Sequence, residues 1–152
     1  MGSGEYRKLR LSAITSYHIV LLFMSFTAII FIGFNHWLPW IVTSDERVVL
    51  VASQLLIIAG FFQLFDGAQV VGLGILRGMG DVNIPTLITL VAYWGIGLPV
   101  GYVLGLQFHL GAPGVWYGLV LGLLTASLLL FIRFQSISKK LHDKTVLIIA
   151  KD

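Results

Sequence analysis

Three long stretches of the chain carry almost no charge. Leu11 to Ser44 has no charged residue, Val48 to Leu76 has one, and Val82 to Ile132 has none. The charged residues gather between and beyond these stretches: Glu5 to Arg10, Asp45 to Arg47, Arg77 with Asp81, and Arg133 to Asp152. A helix needs about 20 apolar residues to cross a hydrocarbon core roughly 30 Å thick. The first two stretches each accommodate one such helix, and the third is long enough for two. Its middle reads Gln107-Phe108-His109-Leu110-Gly111-Ala112-Pro113-Gly114, which is turn chemistry. The pattern predicts an all-α integral membrane protein with four transmembrane helices, at about 14–38, 48–76, 84–106 and 113–134. Residues 1–141 hold these helices and 142–152 form a tail.

The predicted ends carry matching local chemistry. Pro39 follows the first helix, and Thr43-Ser44-Asp45-Glu46 has the order of a capping box for the second. Asp81 or Asn83 is placed to cap the third helix, with Pro85 in its first turn. Pro99 lies inside that helix, removes one backbone hydrogen bond and predicts a kink. Arg77-Gly78-Met79-Gly80-Asp81 reads as a capped turn with both charges solvated at the membrane surface.

Glycines recur at helical spacing. Gly97, Gly101 and Gly105 are spaced by four, as are Gly114, Gly118 and Gly122, while Gly60, Gly67 and Gly74 are spaced by seven. Apolar helices gain little from meeting one another in apolar lipid, so close backbone contact and polar links must join them. The glycine rows predict packing faces. Such thin faces would also let helices slide or bend.

Composition narrows the function classes. Hydrophobic residues make up 57% of the 152 and charged residues 11%, against about 25% charged in a soluble domain. That is too little polar surface to coat a water-soluble globule. Cysteine is absent, which excludes disulfides, thiolate metal sites and thiol nucleophiles. No metalloprotease, nucleophile-elbow, phosphate-loop or dinucleotide fingerprint occurs, so no catalytic residue and no cofactor is expected. His18, His36 and His109 share no metal-ligand spacing. The expected partners include membrane lipid, met by the basic tail, and no nucleic acid.

Lys and Arg set the orientation. Nine lie on the side of the two termini and of Arg77, and one, Arg47, lies on the other. Positive charge stays inside, so both termini are expected in the cytoplasm, with the chain threaded through the cell membrane (plasma or bacterial inner). His36, Trp37 and Trp40 then fall at the outer interface, where aromatic anchors belong.

Asp66 is the acidic residue inside a predicted span. Eleven residues separate it from Arg77, so it lies about 16 Å from the cytoplasmic end, near mid-membrane. A charge there costs from about 2.5 to well over 10 kcal/mol. It persists only when paired, protonated or facing water. Gln63 and Gln69 lie three residues to either side, which puts all three on one helix face within roughly 120°. Dehydration favours the neutral form of a carboxyl group. Such a side chain suits uptake and release of a proton, a sodium ion or a cationic substrate. The alternative is a static hydrogen bond between helices.

Several segments then carry a resemblance. They are Gln63-Leu64-Phe65-Asp66-Gly67-Ala68-Gln69-Val70-Val71, Leu76-Arg77-Gly78-Met79-Gly80-Asp81, Ile84-Pro85, Tyr93-Trp94-Gly95-Ile96-Gly97-Leu98-Pro99-Val100-Gly101-Tyr102, and Gly111-Ala112-Pro113-Gly114-Val115-Trp116-Tyr117-Gly118. In this order and spacing they resemble the C-terminal part of multidrug and toxic compound extrusion (MATE) transporters of the NorM-like branch. The resemblance implies a portion of a twelve-helix, two-lobe antiporter, covering the last four helices. It implies export of cationic organic compounds in exchange for H⁺ or Na⁺, with Asp66 binding the cation and Gln63 and Gln69 beside it. It also implies that the first eight helices, from a longer chain or a partner chain, complete the transport cycle. The competing expectation is a structural or interaction module of four membrane helices, or a non-functional remnant.

Overall fold

The computed structural model describes residues 3–149, with side chains for residues 8–141. Among these residues there are helices and short connections and no strand. Helix α1 runs Ser3–Gly33. A 3₁₀ turn, Leu38–Ile41, leads to α2, Glu46–Gly78. The next span is composite. It comprises α3 (Asn83–Val91), a π-helical stretch (Ala92–Gly97), α4 (Leu98–Tyr102) and a second π-helical stretch (Val103–Gln107). Helix α5 runs Gly111–Ile149. Four segments are long and apolar enough to cross a membrane: Lys8–Gly33, Glu46–Gly78, Asn83–Gln107 and Gly111–Leu141. The chain is an all-helical, multi-pass membrane protein. The side chains of the predicted 142–152 tail lie outside the described residues, as do residues 1–2 and 150–152 altogether.

Helix ends depart from the hydropathy boundaries for a physical reason. Hydropathy marks where a residue suits lipid, whereas hydrogen bonding decides where a helix stops. Helix α5 therefore continues past Arg133 through Lys139 and Lys140, both good helix formers. Helix α1 stops at Gly33, not near 38. The chain then tightens, with Trp37 N–H donating to the Phe34 carbonyl, and Pro39 enters the 3₁₀ turn. Trp37 and Trp40 stand exposed at this end, where the sequence put an aromatic anchor.

The caps differ from expectation. Asp45 itself caps α2, its Oδ1 accepting from Arg47 N–H at 2.9 Å, while Thr43 Oγ1 accepts from Asp45 N–H at 3.2 Å. Neither Asp81 nor Asn83 caps the third span. Val82 holds that place without a side-chain bond. Asp81 is drawn away to Arg133 of α5, with 2.9 Å between Oδ2 and Nε. The Arg77–Asp81 turn is thus not solvated at both ends. Its backbone forms a glycine C-cap, with Asp81 N–H donating to Leu76 O, Gly80 N–H to Arg77 O, and Gly80 at φ +83°. At Pro99 the departure from α geometry takes the form of the two flanking π stretches. Leu98 N–H, just before the proline, reaches back five residues to Tyr93 O.

Packing places the spans in the order first, second, fourth, third: α2 lies against both α1 and α5, and the third span lies against α5. The third and fourth spans meet along the two period-four glycine rows, which pair antiparallel as Gly105–Gly114, Gly101–Gly118 and Gly97–Gly122. A methyl group on Gly114 would stand 2.7 Å from Gly105 N, and one on Gly122 would stand 2.9 Å from Gly97 Cα. At Gly118 it would strike the Gly101 backbone. Of the seven-spaced glycines, Gly60 meets Ile32 and Gly67 meets Val20 and Met24, all on α1, but Gly74 faces open space. Gly72, outside that row, lies against the Tyr17 hydroxyl and Leu130. A buried cluster of Ala13, Leu76, Leu130 and Phe134 ties α1, α2 and α5 together at the end nearest Arg77.

Gly118→Ala is expected to loosen the third span from the fourth, costing about 1–3 kcal/mol or more, because the obstacle is backbone that cannot rotate away. Gly74→Ala, with nothing to strike, is expected to be neutral or to stabilise by up to about 1 kcal/mol. Thermal unfolding of the two variants in detergent micelles, with cross-linking between the spans, checks the contrast.

Candidate functional site

Asp66 sits at the middle of α2 and is part-buried. Among the described residues its carboxylate has no hydrogen bond and no ion pair. Geometry explains its position. On an α-helix Gln63 lies about 60° to one side of Asp66 and Gln69 about 60° to the other. The structure sends the two glutamines to different neighbours. Gln63 Oε1 accepts from Thr27 Oγ1 of α1 at 3.1 Å. Gln69, 8% exposed, accepts at Oε1 from the Tyr93 hydroxyl of the third span at 2.9 Å. The Asp66 carboxylate also lies within electrostatic range of that Tyr93 hydroxyl. The three polar residues share a face, and Asp66 is the member left between two fixed partners.

The Gln63 end is under-satisfied. Thr27 has one hydroxyl hydrogen, yet its oxygen lies 3.0 Å from Met24 O and 3.3 Å from Phe23 O as well as near Gln63. The buried Gln63 Nε2 has no partner among the described residues. Turned end for end, the carboxamide would donate to Thr27 through Nε2 and leave its oxygen free instead. In either orientation one polar atom of Gln63 remains available next to the Asp66 turn.

Two of the cavities along this helix are lined by residues within three positions of Asp66. One, of about 710 Å³, lies between α1, α2 and α5 and is lined by Tyr17, His18, Phe65, Ser127 and Gln135 among others. Tyr17 packs edge-on to Phe131, and its buried hydroxyl has no partner among the described residues. The other, about 590 Å³, lies where α2 faces the start of the third span, and five of its eight lining residues are polar: Gln69, Asn83, Thr86, Thr89 and Tyr93. Among the described residues no group of three His, Asp or Glu side chains stands together. An ion at Asp66 would therefore draw its further ligands from amide, hydroxyl or carbonyl oxygens.

The sequence pattern singled out Asp66, Gln63 and Gln69 but not Thr27 or Tyr93, which hold the glutamines. Thr27 is an isolated hydroxyl in an apolar run, and Tyr93 looks like an ordinary interfacial aromatic. Only the folding together of three spans reveals either. The Asp81–Arg133 pair was also missed, since 52 residues separate its members.

Comparison with known proteins bears on family and fold. A family profile described as MatE matches residues 1–103. Proteins named multidrug resistance protein MdtK, from Yersinia pseudotuberculosis and from Yersinia enterocolitica, are each 36% identical to this chain over 144 residues. These alignments cover 92% of this chain and 32% of each relative, so the chain spans about a third of the length of the curated relatives it matches. A solved structure, the crystal structure of eukaryotic MATE transporter AtDTX14, superposes with a TM-score of 0.79 at 20% identity. It covers 92% of this chain and 32% of the other, a likeness of fold.

Tyr93→Phe removes the donor that satisfies Gln69 and leaves a buried carboxamide oxygen unpaired. It is expected to cost about 1–3 kcal/mol. Thr27→Val does the same at a less buried site and is expected to cost less. Denaturation of both variants in mixed micelles, read by tryptophan fluorescence, checks the order.

Proposed function

This chain belongs to the MatE family, and from that membership and the face around Asp66 we propose that it forms part of a multidrug efflux transporter driven by antiport of H⁺ or Na⁺. The observation that carries the reading is a carboxylate at mid-span, unpaired among the described residues and bracketed by two amides that are themselves held in place. A carboxylate alone suits a proton. With the oxygen of a turned Gln63 beside it, the same position suits sodium, a hard ion that favours oxygen ligands. Cationic organic compounds are the substrates whose charge would compete with that ion. The remaining walls of the transport path come from further helices, in the same polypeptide or in a partner chain. No enzymatic step is assigned.

The nine-to-one distribution of Lys and Arg supports both termini lying in the cytoplasm. The membrane is then the plasma membrane or a bacterial inner membrane. Exposed apolar side chains such as Phe23, Phe26 and Ile29 on α1 support contact with lipid or neighbouring helices. One observation favours a second reading, a purely structural helix module: the glycine seam between the third and fourth spans would serve tight static packing equally well.

The test is a chimera in which this chain replaces the matching third of the Yersinia pseudotuberculosis relative. The chimera is expected to expel a fluorescent cationic dye from vesicles under a proton or sodium gradient. Asp66→Asn is expected to lower that coupled efflux at least about tenfold, a loss on the order of 1.4 kcal/mol or more in the transport step. Efflux unchanged by the substitution removes Asp66 from the mechanism, and a folded chimera that moves no dye favours the structural reading.

A further inference from the structure

The 590 Å³ cavity between α2 and the start of the third span shares Gln69 and Tyr93 with the Asp66 face and adds Asn83, Thr86 and Thr89, which that face does not explain. Asn83, Thr86, Thr89 and Tyr93 follow one another at steps of three, three and four residues, the spacing of one helix face. The face begins at the first residue of α3, which lies at the membrane surface two residues past Asp81. It ends at Tyr93, about 15 Å deeper. Asp66 lies about 16 Å from the same surface, counted from Arg77. The innermost residue of the row and the carboxylate therefore share a depth, and Gln69 joins them through its bond from Tyr93.

The row has a consistent polarity. Thr86 Oγ1 donates its hydrogen to Val82 O at 2.8 Å, and Thr89 Oγ1 donates to Thr86 O at 2.8 Å. The Tyr93 hydroxyl donates to Gln69 Oε1. A hydroxyl has one hydrogen to give. Each of these has given it to its own helix or to Gln69, so the three hydroxyls turn oxygen lone pairs to the cavity, beside the carboxamide groups of Asn83 and Gln69, which can both donate and accept. Such a row of polar groups suits water, and its hydroxyl oxygens can take the place of water around a small monovalent cation. A polar face of this kind is also poor company for lipid tails.

We propose that this cavity is a hydrated path along which the coupling cation moves between the cytoplasm and Asp66, with the Tyr93–Gln69 hydrogen bond as its inner gate. The inference rests on the antiport reading above. Sodium would travel the path partly hydrated, exchanging water for hydroxyl oxygens. A proton would arrive as hydronium, bind the Asp66 carboxylate and leave a neutral water behind. Tyr93 and Gln69 act as positioning residues that close the inner end.

The chain contains no cysteine, so single cysteines can be placed in it without background. The full chain in lipid vesicles, carrying Asn83→Cys, Thr86→Cys or Thr89→Cys, is exposed to a charged, membrane-impermeant methanethiosulfonate on the side of its basic termini. Val91→Cys and Leu98→Cys, on the same span but away from the cavity, serve as controls. A thiol in hydrocarbon stays protonated and unreactive, so the three cavity positions are expected to react at least about tenfold faster than the controls. Equal rates, or reaction only from the opposite side, overturn the path. In the chimera, Thr86→Val with Thr89→Val keeps side-chain size but removes the acceptors. It is expected to slow coupled efflux at least about tenfold while leaving dye affinity unchanged. Unchanged efflux overturns the proposal. Driving the assay with a proton gradient and then a sodium gradient tells which cation uses the path. The thiol labelling needs no transport, so a chimera that fails to move dye leaves the hydration result standing by itself.

Discussion

At Gly118 the backbone of the fourth span comes so near that of Gly101 that one added methyl group has no room. In hydrocarbon, apolar side chains gain nothing by leaving solvent, so the helices associate through close approach and a few polar links. This seam supplies the close approach. It fixes the third span against the fourth rather than against the second, and only then does the Tyr93 hydroxyl reach across to Gln69. The surroundings of Asp66 thus depend on a contact between residues that have no side chains.

The polar links are few, and each joins different elements. Thr27 to Gln63 joins the first span to the second, Tyr93 to Gln69 joins the third to the second, and Asp81 to Arg133 joins the turn after α2 to α5. The second span is held from both sides, with Asp66 between the two attachments. At the end nearest Arg77, apolar packing of Leu76, Leu130 and Phe134 reinforces the same joint. The neighbours of Asp66 are fixed, while the carboxylate itself stays unpaired among the described residues.

Much of this was legible in the chain. Charge and hydropathy act residue by residue, so the four spans and the isolation of Asp66 could be read directly. Residue size acts locally too, which exposed the paired glycine rows and, through ordered motifs, the family. Long-range competition was not legible. Asp81 looks like a helix cap until Arg133 arrives from another helix. Gly74 completes a tidy seven-residue period but meets nothing, while Gly72, outside the period, lies against Tyr17. Pro99 announces an irregularity, yet sequence does not say that the surrounding turns will widen on both sides of it.

That widening has a mechanical consequence. Steps of four residues overshoot an α-helical turn by about 40°, so a four-spaced row ordinarily spirals around its helix. Turns that take up extra residues reduce that overshoot where they occur, as between Gly101 and Gly105, so the two glycine rows wind differently. The matching groove on α5 sits on regular turns and keeps its spiral. Two rows of different winding meet most tightly at one crossing, and an added methyl group on α5 finds least room at Gly118, opposite Gly101, and a little more at Gly114 and Gly122. Two rods touching in that way possess a fulcrum, so a tilt of one against the other displaces the extremities and hardly stirs the crossing point.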